Sequence, residues 1–178
     1  MSRIIKYRIV SAYDDDFVRD IEIEEDKTFM DLHLAIQSAC NYDPSLLTTF
    51  YLSNKNWDKL QEISAECIDP ETQKEVMLMD STKLAKFKPV VGQRYIYIFD
   101  FFSVRAFFIE IVNIREKSES DENLQFPICT LSHGNPPEQL FVDDITDDND
   151  IEDDDFNDID DDLYDDFNEY GYDNLDDY

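Results

Sequence analysis

The sequence predicts an α+β fold: an antiparallel or mixed β-sheet with one main helix on a face, followed by a disordered acidic tail. Three observations predict it. Apolar and polar residues alternate through "FVRDIEIEED" (17–26), which is strand spacing. Helical spacing replaces it at Phe29, Leu32, Ile36 and Ala39–Cys40. The charge is lopsided: residues 143–178 hold 19 Asp or Glu and no Lys or Arg, so they carry −19 of the formal −28 and leave −9 on the first 142. A folded domain is therefore expected over 1–142 and a disordered tail over 143–178.

In chain order, "RIIKYRIVSAY" (3–13) and "FVRDIEIEED" (17–26) read as strands joined by the turn-forming "DDD" of 14–16. Thr28 is placed to cap the helix of about 28–40, with Asp31 three residues on as a variant capping box, and Asn41 and Pro44 end the pattern. Strand, strand, helix is a β-grasp-like opening in element order. "TTFYLSN" (48–54) and "EVMLMD" (75–80) read as strands around a loop-rich stretch near Trp57 and Pro70, and "STKLAKF" (81–87) as a helical turn. "QRYIYIFDFF" and "VRAFFIEIVNIREK" are dense in β-branched and aromatic residues and suit the centre of a sheet. "SESDEN" (118–123) is a polar break, and "FPICTLSHGNPPEQLF" (126–141) reads as a Pro-containing loop or short helical segment.

The composition excludes several classes. A polyanion repels nucleic acid and anionic membranes, so direct nucleic-acid binding is not expected; basic proteins are the expected partners. The longest apolar candidate, "YIYIFDFFSVRAFFIEIV", is broken by Asp100, Arg105 and Glu110, and the N-terminus has no apolar signal core. Cys40, Cys67 and Cys129 are an odd set without CxxC spacing, as in a reduced, cytoplasmic protein. His133 follows Cys129 by four residues, but a structural zinc site needs four ligands and no spacing supplies them. No metal and no cofactor are expected. Asp158, Asp160, Asp162 and Glu169 fit an EF-hand frame, yet Leu163 stands where that loop needs Gly, so a formed calcium site is not expected.

"YRIVS" (7–11) resembles the first strand of serine recombinases, but Ile9 stands where their activating Arg is required, and Arg8 falls on the opposite face. A wider resemblance lies in four ordered segments: "DKTFMDLHLAIQSACNY", "TTFYLSN", "GQRYIYIFDF" and "FPICTLSHGNPPEQL". Together, over about residues 4–141, they resemble the plasmid pRiA open-reading-frame-three-like family, also labelled insertion-element passenger proteins of TnpR type. Leu32, His33, Ile36 and Gln37 carry the clearest match, and Pro136-Pro137-Glu138 supports it. The resemblance implies an α+β domain in a plasmid or mobile-element context and supplies no reaction. Phe102, Ser103 and Arg105 depart from the Gly-Asp and Trp that the family carries after its Tyr-x-Tyr-Asp-Phe strand. Leu46 replaces its usual His, and Gln139 an acid. These departures imply that a family catalytic centre, if there is one, is lost here.

Two functional readings follow. The first is a noncatalytic interaction protein. In its tail, Phe156, Ile159, Leu163, Phe167 and Tyr170 are spaced 3, 4, 4 and 3, one stripe on a helix with acids around it. Like charges oppose that helix in isolation; a basic partner would neutralise them and bury the stripe. The body's own Lys83, Lys86, Lys88 and Arg94 are alternative cations for it. The second reading is an enzyme, or an accessory domain of one, with a cleft near His33, Asp100 and Glu138.

Overall fold

The computed structural model describes residues 2–66 and 76–140. Eight strands are formed: β1 (Arg3–Ser11), β2 (Val18–Glu24), β3 (Thr49–Ser53), β4 (Lys59–Ser64), β5 (Met77–Leu78), β6 (Arg94–Asp100), β7 (Arg105–Glu116) and β8 (Ile128–His133). They make one mixed sheet in the order β5-β4-β3-β6-β7-β1-β2-β8, antiparallel throughout except for the β4–β5 pair. The helix α1 (Phe29–Cys40) packs on one face. The fold is α+β. Strand, strand, helix is the observed opening order, and the second neighbour of β1 is the antiparallel β7.

Each face follows from side-chain alternation. Ile5, Tyr7 and Ile9 of β1, Phe107, Ile109 and Ile111 of β7, and Tyr95, Tyr97 and Phe99 of β6 form the core beneath α1. α1 contributes Phe29, Leu32, Ile36 and Cys40, the residues at helical spacing. Burying each large side chain of this kind is worth about 1.5–3 kcal/mol. The opposite face carries cross-strand ion pairs: Arg8–Asp20 at 2.9 Å, Lys6–Glu22 at 3.1 Å and Arg94–Glu110 at 3.0 Å. β6 and β7 are the fourth and fifth strands of eight, which explains why β6 is buried on both faces, Ile96 and Ile98 included.

Local chemistry sets the helix ends. Thr28 Oγ1 accepts from the Asp31 amide at 3.2 Å, and the Asp31 carboxylate accepts from the Thr28 amide at 2.8 Å, a reciprocal cap. Asn41 closes the helix in the left-handed region at φ 55°. The 14–16 turn is present, with the Phe17 amide donating to the Asp14 carbonyl.

Two expectations are corrected and a third is narrowed. The stretch after Trp57 is not all loop: 59–64 forms β4. The segment 126–141 is neither wholly loop nor helical, because 128–133 pairs with β2 as an edge strand. The strand expected at 75–80 is described only as Met77–Leu78.

Candidate functional site

His33 lies on the buried face of α1 with 2% of its surface exposed. Its Nδ1 is 2.7 Å from Tyr97 Oη and 3.3 Å from Thr48 Oγ1. Gln37, one helical turn on, donates from Nε2 to the same Tyr97 hydroxyl at 2.6 Å. The Pro44 carbonyl takes a hydrogen bond from the imidazole. These contacts fit a neutral ring, with Tyr97 donating to Nδ1 and the other nitrogen donating to Pro44. Burial lowers the His33 pKa and the Pro44 contact partly offsets it. Tyr97 is pushed well above the ordinary phenol value by the same desolvation, against hydrogen bonds from Gln37 and Thr48. Every polar atom in the chain Gln37–Tyr97–His33 is occupied.

Asp100 ends β6 and is also buried, at 2%. Its Oδ2 accepts from Arg105 Nε and Nη2, both at 3.0 Å, and its Oδ1 accepts from the Phe102 and Ser103 amides. The carboxylate therefore closes the β6–β7 hairpin. The turn puts Val104 at φ 50° and leaves Phe102 92% exposed at its tip. Without a glycine at Phe102, positive φ falls instead on Val104, where it costs more.

Glu138 is exposed, and its part in the site is its backbone: the carbonyl accepts from Arg105 Nη2 at 2.6 Å. It belongs to a strap, residues 134–140, that side chains from several elements hold down. Arg19 is 5% exposed and donates to the carbonyls of Ala39 at 3.1 Å, His133 at 2.6 Å and Gly134 at 3.0 Å. Tyr42 Oη donates to the Pro137 carbonyl. Gln139 accepts from the Asp43 amide at 2.7 Å and donates to the Asp43 carbonyl at 2.9 Å and to Gln37 Oε1 at 3.4 Å. Gly134, at φ 70°, admits no side chain, because a Cβ there would lie 2.3 Å from the Asp16 carbonyl oxygen. The strap is locked onto the 14–16 turn at one end and onto α1 at the other.

The three sequence candidates thus occupy two separate arrangements. Arg105 joins Asp100 to the Glu138 backbone, and His33 belongs to the Tyr97–Gln37 chain. Gln37 and Gln139 link the helix motif to the Pro-Pro-Glu motif, so the segments that carry the family resemblance meet in space. Sequence reasoning missed Arg19. Its signal was available: position 19 falls in the apolar series of Phe17, Ile21 and Ile23, where a charge is out of place. Among the described residues no group of three or more His, Cys, Asp or Glu is arranged to hold a metal ion. Cys40 and Cys129 are free thiols, and burial pushes Cys40 up to about 12. No described helix is long and apolar enough to cross a membrane. Cys67, the EF-hand frame and the stripe of Phe156, Ile159, Leu163, Phe167 and Tyr170 lie outside the described residues.

The model of the family described as plasmid pRiA4b ORF-3-like protein matches residues 8–170. The chain belongs to this family. The match extends past 141, where the segment-by-segment resemblance ended, and includes all five stripe positions. Among solved structures, the chain is similar to a protein of unknown function from Methanosarcina mazei Go1. The TM-score is 0.61 at 22% identity, over 74% of this chain and 70% of that one. That likeness shows a shared fold for this pRiA4b ORF-3-like chain. No curated protein matches it.

Proposed function

We propose that this pRiA4b ORF-3-like chain is a cytoplasmic, noncatalytic interaction protein of plasmid or mobile-element context, whose acidic, aromatic-studded tail takes a basic protein partner. The observation that carries the reading is the state of the three candidate catalytic side chains. His33 is enclosed with its partners, Asp100 is ion-paired and used in a turn, and Glu138 contributes a carbonyl. A general base must reach a substrate proton, and a nucleophile needs a base within hydrogen-bond reach. His33 and Asp100 already have their ionisable atoms taken up by protein partners. Support for a partner comes from the −19 of the last 36 residues and the apolar stripe within them.

Charge would bring the partner in, and burial of the stripe would fix its register. Coupled folding of this kind offsets the ordering cost with buried area and neutralised repulsion. Direct nucleic-acid binding does not fit the field of the molecule. The test compares the full chain with a variant ending at 142, using a defined lysine-rich amphipathic peptide as probe. The full chain is expected to bind at about 0.1 M salt and to release the peptide towards 1 M, as the screening length shrinks from about 10 Å to about 3 Å. The shortened variant, with its unfolding transition unchanged, is expected to bind neither way. Equal binding by both chains overturns the proposal.

A further inference from the structure

Fourteen Lys and Arg side chains lie in the described residues, and most are committed. Arg3, Lys6, Arg8, Arg94, Arg105, Arg115 and Lys117 are in ion pairs. Arg19 is spent on carbonyls, and Lys59 lies over the Tyr51 ring at 4.8 Å. Among the described residues, five lysines have no carboxylate or ring partner, and four of them share one ridge: Lys27, Lys83, Lys86 and Lys88. The backbone puts them together. The Lys27 carbonyl accepts from the Leu84 amide at 2.9 Å, the Glu25 carbonyl accepts from Ala85 at 3.0 Å, and Thr28 bridges to Lys83. Leu84 is fully buried and Phe87 lies 5.8 Å from Phe29, so this 3₁₀ turn is anchored by its apolar residues while Lys83, Lys86 and Lys88 face solvent.

The ridge continues into two valines. Val90 and Val91 are 61% and 62% exposed, displayed by a turn in which the Gln93 amide donates to the Val90 carbonyl and Gly92 takes φ 89°. Asp26 and Asp80 are the exposed acids beside it, and Glu25 is engaged by Arg3 at 2.6 Å. A concentrated positive, partly apolar surface is thus retained on a molecule of formal charge −28.

We propose that the ridge of Lys27, Lys83, Lys86, Lys88, Val90 and Val91 binds the acidic segment 143–178 of a second copy of this chain. The inference rests on the tail-binding reading above and names its partner surface. The complementarity is twofold. The segment carries 19 acids and no base for the lysines, and Phe156, Ile159, Leu163, Phe167 and Tyr170 for the valines. Nucleic acid and anionic bilayers extend far beyond the ridge, over surface where this chain repels them. A peptide segment meets the ridge alone. Each copy has one ridge and one segment, so reciprocal exchange closes into a two-fold dimer. The two copies also repel each other, and that repulsion is screened beyond about 8 Å at physiological salt. Association is therefore strongest at intermediate ionic strength, and weaker both near 0.01 M, where the repulsion between copies extends to about 30 Å, and near 1 M, where the attraction is screened as well.

Sedimentation velocity on the full chain over a concentration series tests this, with two variants. The ridge variant Lys83→Glu, Lys86→Glu, Lys88→Glu changes exposed side chains only. The stripe variant is Phe156→Ser, Ile159→Ser, Leu163→Ser, Phe167→Ser, Tyr170→Ser. The wild type is expected to dimerise with that salt dependence, each variant alone to stay monomeric, and an equal mixture of the two to associate again, because one supplies the segment and the other the ridge. A wild-type chain that is monomeric at all concentrations and salts overturns the proposal, as does dimerisation that survives in the ridge variant. If the wild type stays monomeric yet still binds the lysine-rich peptide through its tail, the second-copy contact fails and the tail-binding reading stands. If truncation at 142 leaves peptide binding unchanged, that reading fails on its own.

Discussion

Removing water from around His33 lowers its affinity for a proton, so the unfolded chain takes that proton more readily than the folded one. The sign follows. Between the ordinary imidazole value of about 6.5 and the depressed folded value, the unfolded state binds the extra proton. Neutral His33 therefore gives its full contribution above about pH 6.5, and the contribution falls as pH drops through that window. Urea midpoints at pH 7.5 and pH 5.5 should fall more in the wild type than in His33→Gln; equal falls would contradict the enclosed, neutral ring. The tyrosines beneath α1 offer a second comparison. Tyr97 serves His33, Gln37 and Thr48, whereas the buried hydroxyls of Tyr7 and Tyr95 have no partner. Tyr97→Phe strands Gln37 and His33 and should cost about 1–3 kcal/mol in urea unfolding, while Tyr7→Phe and Tyr95→Phe should be near neutral or stabilising. The reverse order would contradict the hydrogen-bond assignment.

Arg105 acts at the scale of elements, since it holds the β6–β7 hairpin through Asp100 and the strap through Glu138. Arg105→Met leaves a buried carboxylate without its cation and should cost about 3–5 kcal/mol. Adding Asp100→Asn should recover part of that loss, because Asn keeps an acceptor for the turn amides and no charge. No recovery in the double variant would mean that the strap contact dominates. The elements also show what is legible in a sequence. β1, β2 and α1 keep their period over seven or more residues and the spacing finds them, whereas β6 and β7 are found by their β-branched and aromatic density. β8 was lost because its register with β2 shifts between Asp20 and Ile21, which breaks the alternation of "ICTLSH" just where prolines flank it. β4 was lost for a similar reason: Leu60 and Ile63 are three apart, next to the irregular pairing of Ser53. Of the site, the inward face of His33 was legible from helical spacing. Its partners were not, because Tyr97 arrives from 64 residues away by tertiary packing.

For the molecule as a whole, one side chain after another in the body is committed to structure, and the unspent chemistry is at the acidic C-terminal segment and the lysine ridge. Electrostatics alone would let any polyanion serve, and the five apolar positions separate the two possibilities. The most direct measurement is the affinity of the full chain for the lysine-rich amphipathic peptide, compared with the variant bearing Ser at 156, 159, 163, 167 and 170 with every acid retained. If the stripe fixes the partner, affinity should fall by more than about tenfold, or about 1.4 kcal/mol, at unchanged net charge. An unchanged affinity would contradict the account and reduce the tail to a diffuse counter-charge.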